Sequence, residues 1–157
     1  MPTIYVAGPV LRPHDSSSDL ANIYQQIYAT LGRAGYKVIL PIQDDNLERA
    51  DPQTFYRVME QRIASSDFVV TVFPDLNRSA PVEATMASFM HKRQYVLAGE
   101  ERNVPRLIQG LPGVRSVAPM YALDDVLSRL QQEAGMSDVF DVNRGNDESG
   151  GGPLIMS

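Results

Sequence analysis

Residues 67–73, DFVVTVF, form an apolar run rich in β-branched side chains, a composition that suits a strand buried on both faces. The chain then continues as FPDLNRSAPVEATMA over residues 73–87, turning through Pro74, Asn77 and Ser79 before placing Glu83 in what reads as the first turn of a helix. A strand of this kind belongs inside a parallel sheet. The helix that follows it therefore starts at the sheet's carboxyl edge.

Strands and helices alternate on either side of this stretch. TIYVAG (Thr3 to Gly8) reads as a first strand. Leu20, Ile23, Tyr24, Ile27 and Leu31 recur at helical spacing, and Gly32 and Gly35 close that helix ahead of YKVIL, a second strand. Asp51-Pro52 opens another helix with Phe55, Val58, Met59 and Ile63 on one face. Beyond the central strand, the helix after the turn carries Val82, Met86, Phe89 and Met90. QYVLA (Gln94 to Ala98) is a fourth strand, Val104 to Gln109 a short helical piece, RSVAP a fifth strand and Ala122 to Glu133 a last amphipathic helix.

Strands joined by crossover helices imply a doubly wound α/β fold, flavodoxin- or Rossmann-like, with a parallel sheet of about five strands and helices on both faces. Ligands of such sheets bind beyond the carboxyl ends of the strands. Those ends are Gly8 to Ser18, Pro41 to Ala50 and Pro74 to Glu83. One α/β domain is expected over 1–134, followed by a polar, glycine-rich tail over 135–157. Its one apolar knot, Leu154 to Met156, is either part of a flexible end or an arm for a neighbouring subunit.

With no cysteine and only two histidines, His14 and His91, the chain holds no thiolate site, and a protein-built transition-metal centre is not expected. The formal charge of -5 argues against polymer nucleic acid as a partner, and no apolar run reaches the roughly 20 residues of a membrane span. A cytoplasmic protein acting on a small molecule fits these features. The loop after Gly8-Pro9 is long and contains Arg12 and three serines, but it matches neither a dinucleotide-binding nor a P-loop pattern.

Glu83 admits two uses. In a first helical turn a carboxylate offsets the helix dipole and completes a cap with Ser79 or the free amides. The same terminus can also keep it ionised and aimed at a ligand, where a carboxylate can attack an anomeric carbon through an oxocarbenium-like transition state.

The succession IYVAGP, SSDFVVTVF, the polar turn into VEATMA, and VLAGEERNVPRLIQGL resembles the nucleoside 2-deoxyribosyltransferase family, which includes 2'-deoxynucleoside 5'-monophosphate N-hydrolases and CMP hydrolases. The resemblance covers about Thr3 to Leu130. It implies cleavage of an N-glycosidic bond of a nucleoside or nucleotide, with hydrolysis or transfer to another base and without a metal or organic cofactor. Glu83 falls on the family's nucleophile, and Tyr5 on the first-strand tyrosine that hydrogen-bonds it. Gly8, Pro9, Arg12, Asn77 and Ser79 fall on the loops that hold substrate, and a homodimer or larger homo-oligomer is implied. Asp67 matches an aspartate at the start of the third strand and reads as structural, because it lies at the opposite end of the sheet.

Departures from the family pattern are specific. Ser79 stands where glycine is common, Thr85 follows Glu83 by two residues, and Asn77 replaces an aspartate that contacts the base. Met59 occupies the place of the family's second carboxylate. The nearest acid, Glu60, lies about 100° further around the helix and is the candidate replacement, with an exposed helix position near Arg57 and Arg62 as the alternative. That substitution raises a second reading of the whole chain, a nucleotide-binding module without turnover.

Overall fold

The computed structural model describes residues 2–11, 19–41, 47, 49–74, 80–100 and 104–133. The chain divides into two compact units, Met1–Asp124 and Asp125–Ser157. Arg12, Asn77, Ser79 and the tail over 135–157 lie outside the described residues, as do residues 42–46 and 48 of the Pro41 to Ala50 strand end.

The first unit contains β1 (Thr3–Ala7), α1 (Asp19–Arg33), β2 (Lys37–Ile39), α2 (Pro52–Ala64), β3 (Phe68–Phe73), α3 (Ala80–Phe89), β4 (Arg93–Ala98), α4 (Arg106–Gln109) and β5 (Val114–Pro119), then a 3-10 turn at Met120–Ala122. Residues 123–133 are helical. All four strand pairings are parallel, and the order is β2-β1-β3-β4-β5. The chain leaves β1 toward β2 and returns to β3 on β1's other side. The winding reverses between β1 and β3, and such a switch point opens a crevice at the carboxyl edge.

Every residue of β3 is buried, as its unbroken apolar sequence requires of a central parallel strand. On one sheet face Tyr5, Ala7 and Val69 pack with Met59 and Ile63 of α2 and Ala87 of α3. Alongside them Phe73, Val96 and Ala98 pack with Ala84, Val104 and Ile108. The opposite face presents Ile4, Val6, Val70 and Val72, and α1 buries Ala21, Tyr24, Ile27 and Leu31. Each aliphatic side chain of that size contributes roughly 1.5–3 kcal/mol on burial.

Local signals set the helix ends. Asp51 caps α2: its carboxylate accepts from the Thr54 backbone N–H at 2.8 Å and from the Thr54 hydroxyl at 3.0 Å, with Pro52 opening the helix. Gly35 adopts a φ of 95°, a left-handed turn favouring glycine, and reverses the chain from α1 into β2; Gly32 lies within the helix itself. At the amino edge, the Asp67 carboxylate accepts from the Thr3 backbone N–H at 2.7 Å, a structural tie far from the crevice.

In α3 the apolar residues divide. Ala84 and Ala87 face the sheet, whereas Val82 and Phe89 point outward, Phe89 being 81% exposed. The wide spacing of large apolar residues in this helix thus marks its outer side as much as its core.

Candidate active site

Tyr5 and Glu83 meet at the switch point. Tyr5 rises from the middle of β1, and Glu83 stands in the first turn of α3, the helix that leaves β3. The Tyr5 hydroxyl donates to Glu83 Oε2 at 2.8 Å, and both side chains are buried, Glu83 being 6% exposed. The same hydroxyl lies 3.2 Å from Met59 Sδ of α2. One phenolic proton thus faces two acceptors. The carboxylate is much the stronger, since a thioether accepts only weakly.

Burial dominates the electrostatics. It pushes the Glu83 carboxyl up to about 7, and the hydrogen bond from Tyr5 draws it partly back. One of the two uses read for Glu83 has the helix terminus keep it ionised; burial acts against that and brings its pKa to about 7. Tyr5 is driven well above the ordinary phenol range, first by burial and then by the adjacent Glu83 charge, while Arg62 acts in the opposite sense. It stays a neutral donor.

Tyr24 is the residue that sequence reasoning missed. It reads as one more apolar position on α1, yet a tyrosine buried among isoleucines and leucines needs a partner for its hydroxyl. That hydroxyl donates to the Pro9 backbone carbonyl at 2.6 Å. Burial and the Glu83 charge raise its pKa as well. Gly8 is explained by the same contact, because a Cβ there would stand 2.6 Å from the Tyr24 oxygen. Gly8 and Pro9 thus lie at the carboxyl end of β1, clamped from below by α1.

Glu60 is not in contact with the pair. Met59 is the α2 residue that meets Tyr5, and Glu60 lines a neighbouring groove of about 610 Å³ between α2 and α3, with Tyr56, Pro81, Val82, Thr85 and Phe89 among its walls. Thr85 turns its hydroxyl onto the Pro81 carbonyl of its own helix at 2.8 Å. Among the described residues no group of three His, Cys, Asp or Glu side chains could hold a metal ion, and no helix is long and apolar enough to cross a membrane.

The chain superposes on the Clostridium botulinum CMP N-glycosidase BcmB with a TM-score of 0.58 at 18% identity, covering 83% of this chain and 98% of that one. A 2-deoxyribosyltransferase from Bacillus psychrosaccharolyticus aligns at a TM-score of 0.50 and 16% identity over 69% of this chain and 81% of that one. These likenesses show a shared α/β fold, consistent with the resemblance to the nucleoside 2-deoxyribosyltransferase family. No protein-family model matches the chain, and neither does any curated protein sequence.

Proposed function

We propose that this protein cleaves the N-glycosidic bond of a nucleoside or nucleoside 5'-monophosphate. The observation that carries the proposal is the buried 2.8 Å contact between Tyr5 and Glu83 at the sheet's switch point. In the first step a Glu83 carboxylate oxygen bonds to C1' as the bond from C1' to the base nitrogen breaks, its electron pair leaving with the base. Tyr5 holds the other carboxylate oxygen and orients the attack. In the second step a water oxygen, or a nitrogen of an acceptor base, bonds to C1' and gives up its proton to the carboxylate that protonated the departing base, while the ester bond returns its electrons to Glu83. Hydrolysis and transfer differ only in that acceptor.

A carboxyl near neutrality suits this cycle. About half of it is ionised at pH 7, and its raised basicity makes that anion a stronger nucleophile toward C1' than an ordinary carboxylate. The departing base also needs a proton. Glu60 is the carboxylate we assign to that task, reached from the α2–α3 groove. Gly8 and Pro9, with Arg12, Asn77 and Ser79, belong to the segments assigned to sugar, base and phosphate. We also assign the exposed side chains Tyr56, Val82 and Phe89 to a contact between copies, as the family resemblance implies a homo-oligomer.

The test is chromatographic detection of free base from ribo- and deoxyribonucleosides and their 5'-monophosphates, with and without an acceptor base. Release by the wild-type chain and none by Glu83→Gln supports the proposal. Nucleotide binding seen as a raised melting temperature, with no base released from any substrate, would overturn it in favour of a binding module.

A further inference from the structure

β3 and β4 are the apolar centre of the sheet, yet each carries one wholly buried polar side chain. Thr71 and Gln94 are both 0% exposed. Their registers, Thr71 opposite Val96 and Gln94 opposite Val69, set them two positions apart on the face that packs α3. The Thr71 hydroxyl donates to Gln94 Oε1 at 3.4 Å, and Gln94 Nε2 donates to the Ala84 backbone carbonyl at 2.8 Å. Ala84 is the residue after Glu83.

We propose that Gln94 is a positioning residue of the active site: its carboxamide fixes the first turn of α3 on the sheet, so that the Glu83 carboxylate meets the Tyr5 hydroxyl. The proposal rests on the reading of Glu83 as the reacting group. A buried primary amide is costly unless both of its ends are partnered, and an apolar side chain of similar length would fill the space without that cost. The helix does not need the bond, because a backbone carbonyl that serves the helical ladder keeps a second lone pair. What Gln94 adds is direction.

The apolar contact between α3 and the sheet supplies little of it at this turn. Beside Glu83 the fully buried apolar side chain is Ala84, followed a turn later by Ala87, both too small to interlock, while the larger Met86 and Met90 pack only in part against the core and toward the carboxyl end of the helix. Such a face fixes the distance between helix and sheet better than it fixes the position of the first turn. A displacement of about 1 Å along the helix would carry the Tyr5–Glu83 pair out of hydrogen-bond range. The link from Thr71 through Gln94 to Ala84 opposes that displacement one residue from the carboxylate.

The charged and titratable groups acting on this pair are Tyr24 from α1 and Arg62 from α2, beside Tyr5 and Glu83 themselves. The link is neutral throughout. Its loss should therefore be felt by Glu83 only through geometry.

The test compares wild type with Gln94→Met, which keeps the length of the side chain and removes both hydrogen bonds. Glu83 is titrated by carbon-detected NMR of its side chain, a readout independent of turnover. Kinetics follow on whichever nucleoside or nucleotide the wild type cleaves. We expect the Glu83 midpoint to rise by about half a pH unit or more as the Tyr5 bond weakens. We also expect kcat to fall by about tenfold or more while KM stays within roughly twofold. An unchanged Glu83 midpoint in folded Gln94→Met overturns the proposal. If Gln94→Met does not fold, Thr71→Val removes only the far partner; there too an upward shift supports the link and an unchanged midpoint overturns it. A shifted midpoint in a protein whose wild type cleaves no substrate leaves the positioning role standing and defeats the reading of Glu83 as nucleophile.

Discussion

The Tyr5 hydroxyl, carried by the first strand, donates at 2.8 Å to the carboxylate of Glu83, which enters from the helix after the third strand. The two residues are far apart in sequence and meet only because β1 and β3 are neighbours in the sheet. Burial raises the Glu83 pKa, and the hydrogen bond opposes the rise. In the proposed mechanism, activity and stability therefore respond to the same proton.

That coupling has a sign. With Glu83 raised from 4.5 to about 7 in the folded chain, its protonated form contributes stability below the unfolded value, and this contribution is lost as pH rises through 7. The loss is on the order of 3 kcal/mol by pH 8. Glu83→Gln should abolish it, leaving the variant more stable than wild type at pH 8 and close to it at pH 5. Parallel denaturant melts at the two pH values check this, and a difference independent of pH would refute it.

Base release should show an acid limb near pH 7, where Glu83 ionises. No alkaline limb is expected from Tyr5, whose phenol remains neutral across the working range. In Tyr5→Phe the opposing hydrogen bond is gone, so the acid limb should move to higher pH and kcat should drop by roughly 10- to 100-fold. A pH–rate profile of the two proteins decides the matter.

Met59→Leu should be nearly silent, costing less than about 1.5 kcal/mol, because the thioether is a weak acceptor and leucine has a similar volume. Met59→Glu is expected to behave differently. A carboxylate within reach of the same phenol would compete for its proton and repel Glu83, moving the acid limb upward and lowering stability at pH 8. A Met59→Glu profile superposing on wild type would contradict the placement of this side chain.

Gly8→Ala should destabilise the fold by about 1–3 kcal/mol, since the new methyl meets the Tyr24 oxygen. Tyr24→Phe removes that oxygen along with its bond to the Pro9 carbonyl. The double variant should therefore be less destabilised than the sum of the two singles, a coupling that a double-mutant cycle in denaturant measures.

Much of the fold was legible because its signals are local. The unbroken apolar β3, the Asp51-Pro52 helix start and the glycine at 35 each decide an element within a few residues. The outward face of α3 was less so, because Val82 and Phe89 are apolar and yet exposed, and a helical period cannot tell which of two apolar faces is buried. The pairing of Tyr5 with Glu83 came from family resemblance rather than from spacing. The roles of Tyr24 and Gln94 depend on contacts between distant segments. A buried polar residue in an apolar strand or helix face was the available signal in both cases, and its partner could be found only in three dimensions.

The most direct test of Glu83 as nucleophile is mass spectrometry of the wild-type chain, quenched in acid while cleaving its best nucleoside or nucleotide substrate. We expect a mass increase equal to the sugar moiety, located on the peptide containing Glu83 and absent from Glu83→Gln. Steady release of base by Glu83→Gln, or a glycosyl adduct mapped to any other residue, would contradict the mechanism.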